Sequence, residues 1–348
     1  MGVDNRVRQS TMVSVLLMLL LFLLPLMVIV PFQEELFAKD EIVKEVGEEL
    51  IVSGAADDGV FLRVLDGGAV TEMTLGEYLL GVVRAEMPAS FELEALKAQA
   101  AAARTYTVYK LFFGGNHEGT AHVCTDYTCC QAYMDRDTAW QKWGEHAEEY
   151  EGKIAAAVKA TDGQIILYED EPVLAVFHSS SAGRTRPAGE VWQNDLPYLK
   201  AVDSPEQASE APDYYSRVQF STAALKEALM AAFPGADLSG PVEYWLRHPD
   251  LDEAGNVRSV EVGGVTVKGT AVRTALGLRS ACFVWEQEGD AMVFFVTGYG
   301  HGVGMSQYGA NAMAEAGADW REILLHYYTG VAVGVWDGWN RFTNGINP

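Results

Sequence analysis

The residue type least expected at its position is Glu86, in the stretch Gly81-Val82-Val83-Arg84-Ala85-Glu86-Met87-Pro88. Leu79, Val82 and Val83 keep helical spacing, and Glu86 takes the next place on that apolar face. Glu is almost never fully buried without a partner. Pro88 drives Met87 out of helical dihedrals, so the helix is expected to end near Glu86. There the negative end of the helix and the apolar neighbours would each raise its pKa. A raised carboxyl is what a general acid needs at neutral pH. The plainer alternative is a surface Glu at a fraying helix end.

Other groups able to do chemistry fall in three places. His117, His122, Cys124, Cys129 and Cys130 crowd one irregular segment. Outside a membrane, thiols tend to pair as disulfides. Neighbours Cys129 and Cys130 cannot easily bridge each other, whereas Cys124 can reach either. Three Cys and two His also suit tetrahedral zinc. Structural zinc, a Cys124–Cys130 disulfide and inert thiols are the readings, in that order. A second group, His178-Ser179-Ser180-Ser181-Ala182-Gly183-Arg184-Thr185, follows a strand-like run, where sites tend to be built. With no G-x-S-x-G elbow and no local Asp to orient the His, it does not suggest a serine hydrolase. The lack of H-E-x-x-H likewise removes the common zinc-peptidase helix. In the third, Gly298, Gly300, Gly302 and Gly304 alternate in a way that matches neither dinucleotide nor P-loop patterns. Such glycines either form a structural turn or let the backbone approach a bulky ligand while aiming His301, Ser306, Gln307 and Tyr308.

The elements that must hold these groups are legible in part. Val60–Leu65 reads as a strand closed by Asp66-Gly67-Gly68. Thr74-Leu75-Gly76-Glu77 has the capping-box pattern and opens the helix that ends at Glu86. An Ala-rich helix from about Glu92 to Phe113 stops at Gly114-Gly115. Lys97 and Arg104 lie seven apart on it, at the edge of the Leu96-Ala100-Ala103 stripe. They either snorkel or line a cleft below Glu86. A helix is expected over Lys153–Ala160, then a hairpin of Gln164–Tyr168 and Val173–Phe177. Thr222–Ala232 reads as a helix. Hairpins are expected at Val260–Val262 with Val265–Val267 and at Phe283–Trp285 with Met292–Val296. Two helices close the pattern, one running to Gly317 and one capped by Asp319. The class is α+β, mixed helices and antiparallel hairpins around a substrate groove.

Charge and hydropathy bound the setting. The chain has 348 residues and a formal net charge of -23, which argues against nucleic acid as a partner. Acids crowd residues 34–49, and Glu145, Glu148, Glu149 and Glu151 form a second cluster; both read as solvated. Met12–Val30 is apolar apart from Ser14 and Pro25, long enough to span a bilayer, with Arg6 and Arg8 before it. A cleaved signal peptide would need a shorter core and a small-residue cleavage site, which the following residues do not offer. The expected layout is a short cytoplasmic N-terminus at 1–11, a transmembrane helix at 12–31, an acidic tether at 32–58 and an extracytoplasmic catalytic domain at 59–348.

Taken together, Gly81–Met87, Leu93–Ala100 with Ala103-Arg104-Thr105-Tyr106, His178–Thr185 and Gly300–Ala310 closely resemble the stage II sporulation protein D family, in family order and over nearly all of the chain past the tether. These are membrane-anchored lytic transglycosylases that help degrade septal peptidoglycan during engulfment. The resemblance implies that Glu86 is the catalytic acid and that Arg104, His178, Tyr198, Lys200, His301, Ser306, Gln307 and Tyr308 line the glycan groove. Lys97, Ser179 and Ser181, inside the matching stretches, are taken with them. Glycoside cleavage usually takes two carboxylates, but a lone acid suffices where the muramyl C6 hydroxyl closes onto C1. The resemblance also implies zinc bound by a Cys, an adjacent His-Cys pair and an upstream His. Cys124 and Cys130 fit, Cys129 stands where that His would be, and the upstream His is His117 or His122. Implied partners are peptidoglycan strands, a wall amidase and other engulfment membrane proteins. Amidase enhancers share the domain, which leaves a wall-binding module without catalysis as the rival from another class.

Overall fold

The computed structural model describes residues 54–114, 117 and 120–335. The expected Met12–Val30 anchor and the acidic run at 34–49 lie outside them, and no helix among the described residues is long and apolar enough to cross a membrane. The elements run in order: α1 (Ala55–Asp58), β1 (Phe61–Asp66), β2 (Ala69–Thr74), α2 (Leu75–Glu86), α3 (Leu93–Phe113), β3 (Val123–Cys124), α4 (Arg136–Trp143) and α5 (Ala147–Ala160). Then come β4 (Gln164–Tyr168), β5 (Glu171–Pro172), β6 (Phe177–His178), α6 (Ala188–Val191), β7 (Tyr215–Ser221), α7 (Thr222–Ala232), β8 (Leu246–Leu251), β9 (Val257–Val262) and β10 (Val265–Lys268). The chain closes through α8 (Gly269–Leu276), β11 (Phe283–Glu288), β12 (Ala291–Thr297), β13 (Met305–Ser306), α9 (Gln307–Glu315), α10 (Trp320–Tyr327) and β14 (Ala332–Val335). The class is α+β, as the sequence pattern predicts.

α2 begins as its capping box dictates. Thr74 Oγ1 accepts from the Glu77 N–H at 3.2 Å, and the Glu77 carboxylate accepts from the Thr74 N–H at 2.7 Å. It ends at Glu86 because Met87, before Pro88, is extended at φ −125° and ψ 138°. Antiparallel β1–β2 delivers the chain into this helix, and β3 lies parallel to β1 on its other side. α3 is the hub of the helical body: α2, α5, α9, α10 and β4 all pack on it. Its run of buried alanines from Ala95 to Ala103 lets these elements approach closely.

Three sequence expectations fail here for the same reason. Arg104 is fully buried on α3, where its guanidinium grips both carboxylate oxygens of Asp57 at 2.8 and 2.7 Å and donates to the Val158 carbonyl at 3.2 Å. It is a core residue and not a groove residue, and Asp57, assigned to the tether, belongs to the fold. Glu151, grouped with solvated acids, is buried on α5 against Arg84 of α2. A buried charge needs an opposite one, and each partner lies far off in sequence.

Two strand-level differences matter for the site. Glu169 and Asp170, both at positive φ, close a two-residue turn, so β4 pairs with Glu171–Pro172 instead of Val173–Phe177. Its other edge takes β14. The freed Phe177–His178 pairs in parallel with Met305–Ser306. Residues 215–296 form an inserted lobe with a core of its own, in which Leu225, Val260, Val272 and Phe294 are buried. It holds the sheets β11-β12-β7 and β10-β9-β8 with α7 and α8. Both expected hairpins and the Thr222–Ala232 helix are there. α4, β7 and β8 were not anticipated, and α5 starts six residues earlier than expected.

Candidate active site

A cleft of about 850 Å³ opens where the end of α2, the segment after Cys130, the end of β6 and the Gly-rich stretch meet, and α8 of the inserted lobe closes one side. Glu86 lies on its wall. Its Oε1 accepts from the Ala132 N–H at 2.6 Å, and the Gln307 side chain also donates to it. Burial raises its pKa above the ordinary carboxyl value, against the lowering pull of these two donors. Among the described residues lining the cleft, Glu86 is the sole carboxylate.

The Ser-rich and Gly-rich stretches are locked together. Beyond the β6–β13 pairing, Ser180 and Tyr299 exchange backbone hydrogen bonds at 3.0 and 2.8 Å. This contact is close enough to require glycine. A Cβ on Gly304, at φ +71°, would stand 2.1 Å from the Val176 carbonyl, and one on Gly300 would stand 2.6 Å from His178 Cβ. His178 Nδ1 lies 3.2 Å from the Val303 carbonyl and Nε2 lies 2.7 Å from Ser181 Oγ. A carbonyl only accepts, so Nδ1 carries the proton and Ser181 donates to Nε2. Glu206, buried behind both loops, accepts from the Ser181 N–H at 2.5 Å and from Ser306 Oγ at 2.7 Å. The His301 ring sits between those of His178 and Trp192, with centroids 5.5 and 5.3 Å away. Burial lowers His178 to about 3 and His301 to about 4, so both are neutral at physiological pH.

Of the residues singled out from sequence, Glu86, His178, Ser179, His301 and Gln307 meet on the cleft wall. Ser181 and Ser306 stand just behind it, Ser306 also as the N-cap of α9. Tyr198 supports the wall from below, its hydroxyl accepting from the N–H of cleft residue Leu174 at 3.1 Å. Tyr308 packs edge-on against Phe91 at 4.9 Å. Three cations expected in the groove are elsewhere: Arg104 in the core, Lys97 paired with Glu94 at 2.6 Å, and Lys200 on the exposed surface. Sequence reasoning missed Tyr106, Lys110, Trp192, Tyr299 and Arg273 on the wall, and Glu206 behind it. Tyr106 and Lys110 share a face of α3 at i, i+4 spacing, a signal that was there to use. Arg273 arrives from a lobe that carries no motif.

Beside the cleft, His117, Cys124, Cys129 and Cys130 bring one ligand atom each within 4.8 Å of the others. His117 Nε2 stands 3.6 Å from Cys129 Sγ and 3.7 Å from Cys130 Sγ, and the two sulfurs are 4.0 Å apart. Tetrahedral Zn–S bonds of ~2.3 Å place sulfurs ~3.8 Å apart, so the set fits a structural Cys₃His zinc. His122 is not part of it, because its Nδ1 accepts from the Arg63 N–H at 3.0 Å. Cys124 and Cys130 are thiols, not a disulfide. Cys130 is two residues before Ala132, whose N–H holds Glu86.

The chain also resembles known proteins in sequence. The family model described as Stage II sporulation protein matches residues 66–168, which take in α2, α3 and the thiol cluster. The chain is 38% identical over 266 residues to Stage II sporulation protein D of Bacillus amyloliquefaciens, covering 76% of this chain and 75% of that protein. It is 34% identical over 325 residues to the protein of that name from Bacillus subtilis (strain 168), covering 90% and 92%. It is also 30% identical over 304 residues to the amidase enhancer of Bacillus subtilis (strain 168), covering 73% of this chain and 40% of that protein.

Proposed function

Because the chain belongs to the stage II sporulation protein D family, we propose that it is a lytic transglycosylase cleaving the MurNAc–GlcNAc bond of peptidoglycan in septal wall degradation, held at the membrane by Met12–Val30. The observation that carries the reaction type is the lone carboxylate, a half-buried Glu86 with a raised pKa in a large cleft. Protonated Glu86 gives its proton to the glycosidic oxygen as the bond from muramyl C1 breaks. The resulting carboxylate takes the proton of the muramyl C6 hydroxyl while O6 bonds to C1. The product has a 1,6-anhydro end, Glu86 is protonated again, and no water is consumed. A hydrolase would need a second carboxylate for water or for a covalent intermediate. Ala132 and Gln307 orient Glu86 and stabilise its ionised form in mid-reaction. Neutral His178 and His301, whose ring nitrogens are engaged by Ser181, Val303 and Phe177, shape the cleft wall without adding charge.

His117, Cys124, Cys129 and Cys130 would hold zinc, whose contribution is to stiffen the segment leading into Ala132. A wall amidase and other engulfment membrane proteins are the proposed partners. The test is digestion of purified peptidoglycan by the full-length chain in detergent, with mass analysis of product ends. Active protein should release 1,6-anhydro-muramyl ends, and Glu86→Gln should cut turnover by ~10²–10⁴-fold with glycan binding kept. Reducing ends would replace this chemistry with hydrolysis. The 30% identity to an amidase enhancer favours one other reading, a wall-binding module. It wins if neither protein cleaves wall while both accelerate an added amidase.

A further inference from the structure

Arg273 is the one charged side chain that the inserted lobe sends to the cleft wall. It is fixed twice to the same residue. Its carbonyl accepts from the Leu278 N–H at 2.9 Å, where left-handed Gly277 ends α8, and its Nε donates to the Leu278 carbonyl at 3.2 Å. The guanidinium is therefore held at one edge, while its two terminal nitrogens have no hydrogen-bond acceptor among the described residues. No carboxylate of the described residues lies within 4 Å of it, although seven other arginines have one within 3 Å. Burial depresses its pKa, with Tyr299 opposing the fall and Arg186 adding to it. In a protein of net charge -23, an oriented guanidinium with no carboxylate partner, half-buried on a cleft wall, is costly unless something anionic arrives.

Resting on the transglycosylase reading, we propose that Arg273 is the substrate-binding residue for a carboxylate carried by the muramyl unit. The sugar rings themselves are neutral. The anionic groups within reach of a muramyl residue are the lactyl carboxylate, free only on strands stripped of peptide, and the carboxylates of an attached stem peptide. A planar guanidinium with both terminal nitrogens available matches a carboxylate in a two-point fork. Lys110, the other cation on the wall, lies 5.4 Å from the centroid of the Tyr106 ring and offers no such fork.

The experiment compares full-length wild type, Arg273→Gln and Arg273→Lys on three substrates: peptide-free glycan strands, the same strands with the lactyl carboxylate converted to its methylamide, and peptide-bearing strands. Arg273→Gln should raise KM by ~10–100-fold with kcat nearly kept, as loss of a charge-assisted hydrogen bond does. Arg273→Lys should restore part of it, since it keeps the charge and loses the fork. If the lactyl group is the ligand, the defect appears on peptide-free strands, and wild type on methylamide strands behaves like the variant. If the stem peptide supplies the anion, the defect appears on peptide-bearing strands alone. Equal KM for wild type and Arg273→Gln on all three overturns the assignment, as does a fall in kcat with KM unchanged. Melting curves identify a variant that fails through unfolding, and Arg273→Lys then decides. Should wild type cleave none of them, the transglycosylase reading falls. Cleavage with an unchanged KM sinks the Arg273 assignment alone.

Discussion

In the helical body two strongly buried ion pairs are closed within the protein: Arg104 with Asp57, and Arg84 with Glu151. The cleft is built the other way. Glu86 receives only neutral donors, from Ala132 and Gln307, and Arg273 faces open space with its terminal nitrogens uncommitted. Both regions desolvate charge, yet only one neutralises it internally. Compensated pairs can serve structure alone, because nothing else is needed to satisfy them. Uncompensated groups must wait for a proton or a ligand, which is the condition of a working site. The difference sorts residues that look alike in sequence. Arg104 and Arg273 are both arginines on helices, and their surroundings assign them opposite duties.

The largest effect that would break this contrast belongs to the body. Arg104→Ala leaves Asp57 buried without its partner, and a loss of about 3–5 kcal/mol of stability is expected. Urea unfolding should show it, while glycan affinity of the fraction still folded should be unchanged. A stable variant with weakened glycan binding would return Arg104 to the groove. Trimming the chain at Gly59 removes Asp57 and should produce the same instability.

Next in size is the thiol cluster. Stripping metal with a chelator, or making Cys130→Ser, frees the segment that carries Ala132. Glu86 would then lose its backbone donor, and a displacement of ~1 Å near a reacting group costs about 100-fold in rate. Elemental analysis should find about one zinc per chain before treatment. Full turnover after the metal has gone would leave the cluster with no role in positioning Glu86.

Much of this was readable in the chain. The capping box at Thr74, the Pro88 stop and the break in apolar pattern at Glu86 are local signals, and each predicts what is found. The glycines around His301 allowed either a structural turn or approach to a ligand, and the close approach found is to the protein's own chain at Val176 and His178. What escaped were relations between distant segments. Nothing near Arg104 announces Asp57, 47 residues away, and burial by an all-round packed helix does not show in its spacing. The parallel pairing of Phe177–His178 with Met305–Ser306 spans more than a hundred residues, so the simpler hairpin was the natural expectation. Arg273 sits in a lobe whose strands alternate as any small sheet would. Only the fold brings it to the cleft.

The smallest effect is the sharpest test of whether Glu86 is truly uncompensated. Its folded pKa is raised by burial, so the folded state holds the Glu86 proton to higher pH than the unfolded chain, whose value is near 4.5. A group of this kind contributes stability that is fully present below the unfolded value and is lost as pH rises through the folded one. Gln cannot ionise, so Glu86→Gln removes that loss. The variant should match or trail wild type in melting temperature near pH 4, gain on it as pH rises, and keep a constant lead once Glu86 is ionised in the fold. An arginine-paired carboxylate with a depressed folded pKa would give the reverse slope, with wild type gaining on its Gln variant as pH rises. Melting curves of the two proteins across pH 4–8 read the sign directly. A lead that shrinks with pH would mean that Glu86 has a positive partner after all, and the distinction between cleft and body would collapse at its central residue.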